Sequence, residues 1–192
     1  MRLASHNSWS YLKPKKWWMK LFNFASKCQD ADIETQYNKY GVRCFDLRIR
    51  FNNITLVVAH GCAEYSISSQ ELEDILMWLN SKKDAAVRVI LEVRTKWQYS
   101  NLQRSLFRMY CSYIVKDYPN IRFWGGRNLY NWEVEYDFAY KPSCEEKYAS
   151  VCSPKIIDDW YPRWFAKKHT KEIIEKGSSK DYLMIDFVNY QS

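Results

Sequence analysis

His6, His60, Arg48, Asp46, Glu92 and Asp186 are the residues of this chain whose types and spacing suit proton transfer and the holding of an anion. The chain has only three histidines. One lies in "ASHNS", almost at the start, and another in "LVVAHG", directly before a glycine. Histidine is the side chain whose ordinary pKa lies near neutrality, so two imidazoles can pass protons in turn. A guanidinium beside them meets anionic oxygens with paired donors. His169, in "AKKHTKE", reads as a solvated helix residue.

Strand alternation positions the first of these groups. In "GVRCFDLRIRF", alternate side chains share a face. Phe45, Leu47 and Ile49 make an apolar side; Cys44, Asp46, Arg48 and Arg50 make the other. A barrel interior is normally apolar, so charges facing inward near a strand's C-terminal end suggest a site. A half-exposed edge strand with a salt bridge fits the pattern equally well. In "AAVRVILEVRTKW" the pattern repeats, with Val87, Val89, Leu91 and Val93 on one side and Arg88, Ile90, Glu92 and Arg94 on the other.

His60 depends on the register of the return. A strict two-residue loop at Asn52 and Asn53 would set it opposite Phe45, on the apolar side. A three-residue loop with a bulge would set it opposite Asp46, beside Arg48. The second is expected, because a histidine among Phe, Leu and Ile is harder to satisfy. In "DYLMIDFVNYQ", Asp186 falls on the face of Met184 and Val188 and needs a partner. If the last strand adjoins the first, that partner is His6.

The frame is expected to be one domain over 1–192, with hydrophobic residues at 47% and charged residues at 27%. Strands are expected at about 2–5, 42–50, 56–60, 87–94, 121–124, 133–140 and 183–189. Helices are expected at about 17–27, 102–116 and 162–176, with another opened by a Ser68/Glu71 capping box. Alternating strands and helices indicate an α/β fold, a small, irregular TIM-type (β/α) barrel. An open doubly wound sheet is the alternative, but no glycine-rich phosphate loop follows the first strand.

The net charge of +7 favours anionic partners: phosphates, nucleic acid or acidic lipid surfaces. "LKPKKWWMKLF" joins lysines to Trp17, Trp18, Leu21 and Phe22, which suits either a membrane interface or an ordinary helix packed on the barrel. The cysteines Cys28, Cys44, Cys62, Cys111, Cys144 and Cys152 show no zinc-ligand spacing. They are expected reduced, with Cys44 and Cys62 in apolar strands and a Cys144–Cys152 bridge left open. No leader pattern or apolar run of membrane-spanning length is present, so the chain is expected to be soluble, cytoplasmic or peripheral to a membrane.

Taken in order, "ASHNS", "QYNKYGVRCFDLRIRF", "LVVAHG", "VILEVR" and "LMIDFVN" resemble the catalytic X region of phosphatidylinositol-specific phospholipase C. The likeness is clearest over 1–97 and 182–190. It implies a distorted TIM barrel that cleaves a phosphodiester in two steps through a cyclic phosphate. His6 resembles the general base, His60 the general acid, Arg48 the arginine that stabilises the phosphate, and Asp186 the carboxylate that orients the first histidine. Asp46 joins them in the catalytic set, with Asn7, Glu92 and Arg94 as substrate contacts.

Asn7 and Glu92 resemble the metal ligands of calcium-dependent members, whereas Arg48 occupies the place of a second metal carboxylate. The resemblance therefore implies no cofactor, with calcium on Asn7, Asp46 and Glu92 as the alternative. The expected substrate is a phosphoinositide or similar phosphodiester lipid or inositol phosphate. Peripheral membrane contact is open, and no nucleic acid is expected. Two other readings remain: a metal-dependent glycerophosphodiesterase-like enzyme, and a catalytically silent lipid- or nucleic-acid-binding protein.

Overall fold

A computed structural model describes residues 1–93, 100–127, 138–147 and 161–191. The described chain runs β1 (Arg2–Ser5), α1 (Met19–Ser26), α2 (Ile33–Asn38), β2 (Val42–Asn52), β3 (Thr55–His60), β4 (Ala63–Glu64), α3 (Ser69–Asn80), β5 (Ala86–Leu91), α4 (Asn101–Asp117), β6 (Arg122–Arg127), β7 (Cys144–Lys147), α5 (Pro162–Lys176) and β8 (Tyr182–Ile185). A 3-10 turn, Val188–Tyr190, ends it.

The eight strands belong to one sheet. Parallel pairing runs β7–β8–β1–β2–β5–β6, and the β3–β4 hairpin branches antiparallel from β2. The sheet curves as an irregular TIM-type barrel but is not closed, since β6 and β7 do not pair among the described residues. β8 adjoins β1 in register, Ser5 opposite Ile185, so the first and last strands meet inside the sheet rather than at a closing seam.

Two apolar layers shape it. The larger lies between sheet and helices, where Phe45, Leu47 and Ile49 pack with Val87, Val89, Leu91, Leu183 and Ile185. Burial of these strand side chains, worth about 1.5–3 kcal/mol each, sets which face turns outward. The smaller fills the inside of the curve with Ala4, Cys44, Ala86, Tyr182 and Met184, against which Trp124 packs. Above it, toward the strands' C-terminal ends, the inward positions become charged.

Helix signals held locally. Ser68 Oγ accepts from Glu71 N, and Glu71 accepts from Ser68 N, the reciprocal cap that opens α3. The helix expected at 17–27 occupies Met19–Ser26, and the one at 162–176 starts at its proline. Short elements with little periodicity, α2, β4 and β7, were not expected.

Four expectations are corrected. The last strand stops at Ile185, because Phe187 takes a left-handed φ of 47°. That turn carries Val188 into the outer core, away from the face of Met184. Cys62 is exposed in the tight β3–β4 turn, not inside a strand. The expected 87–94 strand ends at Leu91. The stretch 133–137 and Cys152, with the Cys144–Cys152 bridge, lie outside the described residues; Cys28, Cys44, Cys62 and Cys111 are reduced thiols. No described helix is long and apolar enough to cross a membrane.

Gly125 shows how closely the sheet is fitted. It faces Val89 across β5–β6 at φ 137°, and a Cβ there would collide with the Val89 carbonyl oxygen. Backbone cannot yield as a flexible side chain does. Gly125→Ala should therefore lower unfolding free energy by about 3 kcal/mol or more, read from urea denaturation. A variant as stable as the parent would show that β5 and β6 are not paired in this register.

Candidate active site

The site grows from strand ends. β1 and β8 run side by side, so the residues that follow them, His6 and Asp186, emerge together. His6 Nδ1 lies 2.7 Å from Asp186 Oδ1, with both side chains buried. Gln29 clamps this pair: its amide nitrogen donates to the carbonyls of His6 and Ile185, and its oxygen accepts from Val188 N. The carboxylate fixes the tautomer of His6 with its proton on Nδ1, which leaves Nε2 as the basic atom.

His60 comes from the far end of β3. Its ring centroid lies 5.5 Å from that of His6, edge to face. His60 Nδ1 lies 2.9 Å from the carbonyl oxygen of Ser26, the last residue of α1. Tyr65 Oη and Asn7 Nδ2 donate to the same oxygen. Terminal helix carbonyls lack intrahelical partners and carry the negative end of the helix dipole. The oxygen thus orients His60 as Asp186 orients His6, again with Nδ1 engaged and Nε2 as the other ring nitrogen.

Arg48 ties the two histidines to one frame. Its Nε donates to Asp46 Oδ2 at 2.7 Å, and its Nη1 reaches Glu92 Oε2 at 3.4 Å. Asp46 Oδ2 also accepts from the backbone N–H of Asn7, the residue after His6. Glu92 Oε1 accepts from the backbone N–H of Gly61, the residue after His60. Each carboxylate is therefore shared between the guanidinium and the chain just past one histidine. Arg88 adds a second buried guanidinium, 3.8 Å from Asp46 Oδ1 and set against the Trp124 ring. Burying charge is costly unless it is paired, and here pairing is dense.

The backbone turns sharply behind three of these groups. Asn7, Gly61 and Phe187, which follow His6, His60 and Asp186, all have left-handed φ, at 43°, 58° and 47°. For the two non-glycine residues that conformation costs about 1–2 kcal/mol each. It persists because Asp46 holds Asn7 N and the Cys28 carbonyl accepts from Phe187 N.

The structure thus brings His6, Asn7, Asp46, Arg48, His60, Glu92 and Asp186 to one end of the sheet. Arg94 lies outside the described residues. His169 lies on α5, against Glu172 and Phe165. The expected register of His60 is overturned: Asn52 pairs with Thr55 across a two-residue turn, and the ladder continues only to Ile49–Val58. Beyond it β3 leaves β2 and pairs with β4, His60 opposite Ala63. The strand keeps its apolar register and reaches the polar cluster by bending away, not by a bulge opposite Asp46.

A hard cation needs converging oxygens. Asp46 and Glu92 instead turn oxygens onto Arg48, so a guanidinium already stands between them. The trio Asn7, Asp46 and Glu92 does not fit calcium in this arrangement.

Sequence reasoning missed Cys28, Gln29 and the Ser26 carbonyl, which sit in or beside a loop without periodicity. It placed Arg88 on the inward face but gave it no role; its alternation with Glu92 was the available signal. The Cys28 thiol is fully buried, and burial first, then the Asp186 carboxylate, push its pKa well above the usual thiol range. It is a neutral thiol at neutral pH, not a ready nucleophile.

No family model matches the chain, and no curated protein matches it by sequence. Among solved structures, it is similar to phosphatidylinositol-specific phospholipase C from Listeria monocytogenes, with a TM-score of 0.59 at 14% identity. The superposition covers 100% of this chain and 90% of that one. At so low an identity the likeness is one of fold: an α/β, phospholipase C-like TIM-type barrel in an irregular, open form.

Proposed function

We propose that this chain is a phosphodiesterase of the phospholipase C type, acting on a phosphoinositide or a similar lipid or inositol phosphodiester. The observation that carries the reading is the histidine pair: two rings 5.5 Å apart, each with Nδ1 on a fixed oxygen. His6 Nε2 takes the proton of a substrate hydroxyl next to the phosphate, and that oxygen attacks phosphorus. The bond from phosphorus to the leaving oxygen breaks, and His60, protonated beforehand, gives its Nε2 proton to the leaving alkoxide. The product is a cyclic phosphodiester, which water opens with the two histidines in exchanged roles.

Asp186 stabilises the imidazolium that forms on His6. Arg48, its plane held by Asp46 and Glu92, presents a rigid cation to the phosphate oxygens, where added charge develops. Asp46, Glu92 and Asn7 act in this scheme by holding Arg48 and the backbone beside each histidine. Arg48 supplies the positive charge that a bound metal would otherwise provide.

The site adjoins a surface suited to lipid. Trp17, Trp18, Leu21 and Phe24 are exposed on and just before α1, and Phe24 stacks on Tyr161. Lys15, Lys16 and Lys20 are exposed beside them. Rings that enter headgroups, next to lysines that meet anionic phosphate, suit a peripheral contact with an anionic bilayer. Because α1 ends at Ser26, such a contact would bring lipid to the histidines.

Phosphorus NMR on a phosphoinositide should show a cyclic phosphate appearing before the open monoester. His6→Ala should lower kcat by about 10²–10⁴-fold. Direct appearance of the monoester, or full activity in that variant, would reject the scheme. Turnover should be the same with a calcium chelator as with added calcium; loss on chelation would favour the metal-dependent reading. Trp17→Ala should weaken binding to anionic vesicles by about tenfold in a sedimentation assay, while turnover of a water-soluble substrate is kept. Unchanged vesicle binding would place the lipid contact elsewhere.

A further inference from the structure

Cys28 enters none of the steps above, yet it lies beside the two histidines. One ligand atom from each of His6, Cys28 and His60 lies within 4.8 Å of the others. Two imidazole nitrogens and a thiolate around one point make a donor set for a borderline-soft divalent ion. They are not donors for calcium or magnesium. Tetrahedral zinc with such ligands spaces their donor atoms by roughly 3.3–3.6 Å, given bonds of about 2.0–2.1 Å to nitrogen and 2.3 Å to sulfur. The approach required is of the order of an ångström, within reach of side-chain rotation.

The surroundings carry a second, independent signature. Metal-binding histidines characteristically donate their other ring N–H to a carboxylate or a backbone carbonyl, which fixes tautomer and aim. Both arrangements occur here, His6 Nδ1 on Asp186 and His60 Nδ1 on the Ser26 carbonyl. The third donor is anchored as well. Cys28 N donates to Ser10 Oγ, and the Cys28 carbonyl accepts from Phe187 N. All three donors therefore stand on backbone that is already held.

We propose that His6, Cys28 and His60 form a binding site for a thiophilic divalent cation of the zinc class, and that occupancy switches the histidine pair off. Binding forms bonds from the metal to one ring nitrogen of each histidine and to Cys28 Sγ. The thiol proton passes to solvent, and a water completes four-coordination. A thiolate and the Asp186 carboxylate offset the ion's charge, while Asp46 and Glu92 already balance Arg48. His60, the partly exposed member, gives the ion its way in. With both rings held on the metal, neither is able to pass a proton to or from a substrate. The ion is then an inhibitor, removable by a chelator, and not a cofactor.

The test reads binding directly, so it does not depend on the proposed phosphodiester chemistry. The reduced chain is titrated anaerobically with cobalt(II), followed by back-titration with zinc. One equivalent should give a sulfur-to-cobalt charge-transfer band and the intense visible absorption of four-coordinate cobalt. Zinc should abolish both. Cys28→Ser should lose the charge-transfer band, while Cys62→Ser, at the exposed thiol, should keep it. Asp186→Asn should weaken binding by about 10–100-fold. On the unmodified protein, nitrogen-15 NMR should show the ring nitrogens of two histidines shifting on zinc addition, which guards against a misfolded variant.

Absence of the band, or its persistence in Cys28→Ser, would overturn the site. So would zinc shifts confined to His169. If zinc binds as described and no phosphodiester is cleaved, the metal site stands and the catalytic reading falls. If cleavage occurs and zinc does not bind, the reverse holds.

Discussion

Two buried carboxylates, each shared between a guanidinium and a backbone N–H, are the constraint on which this site depends. Asp46 joins Arg48 to Asn7 N, and Glu92 joins Arg48 to Gly61 N. The hydrogen bonds do two jobs. They neutralise a cation that is almost wholly buried, and they hold the chain one residue past each histidine. An ion pair serving only itself would be a weak contributor in a protein interior, because desolvation offsets most of the attraction. Here the same carboxylates also satisfy backbone donors that would otherwise be stranded. Removing either acid would loosen Arg48 and one histidine together.

The layering inside the curved sheet explains why so much charge can be held there. Small and apolar residues, Ala4, Cys44, Ala86 and Met184, fill the inner face at the N-terminal ends of the strands. One register step higher the same face carries Asp46 and Arg88 in direct opposition, and above them Arg48. The gap that β1 and β3 leave along β2 is filled by the turn after His6. Ser8 N donates to the Asp46 carbonyl, and Asp46 N donates to Ser8 Oγ. The loop thus completes the sheet edge where the site needs access to it.

The end of α1 is the second organising feature. One carbonyl, that of Ser26, accepts from His60, Tyr65 and Asn7, and the Cys28 thiol lies 3.7 Å from it. A helix terminus usually meets its acceptor needs with water or a cap. Here the site residues take that place, so the aromatic helix and the histidine pair are mechanically one unit. On the proposed reading, seating that helix at a lipid surface and aligning the pair are the same event.

Alternation was enough to read the inward faces of β2 and β5, because strand period is local and burial enforces it. It therefore exposed Asp46, Arg48 and Glu92, and the ordered motifs added His6, His60 and Asp186. The capping box of α3 was equally local. What the sequence could not decide was where strands part company. His60 keeps the apolar register of the hairpin and reaches His6 because β3 peels from β2 after Val58, a choice made by sheet curvature and by β4. Gln29, Cys28 and Ser26 have no periodic signature, since their roles come from one side-chain amide, one thiol and one carbonyl placed by neighbours distant in sequence. Residue type and period set the chemistry that is available; only the fold, by bringing β1 against β8 and α1 against β3, set which groups meet.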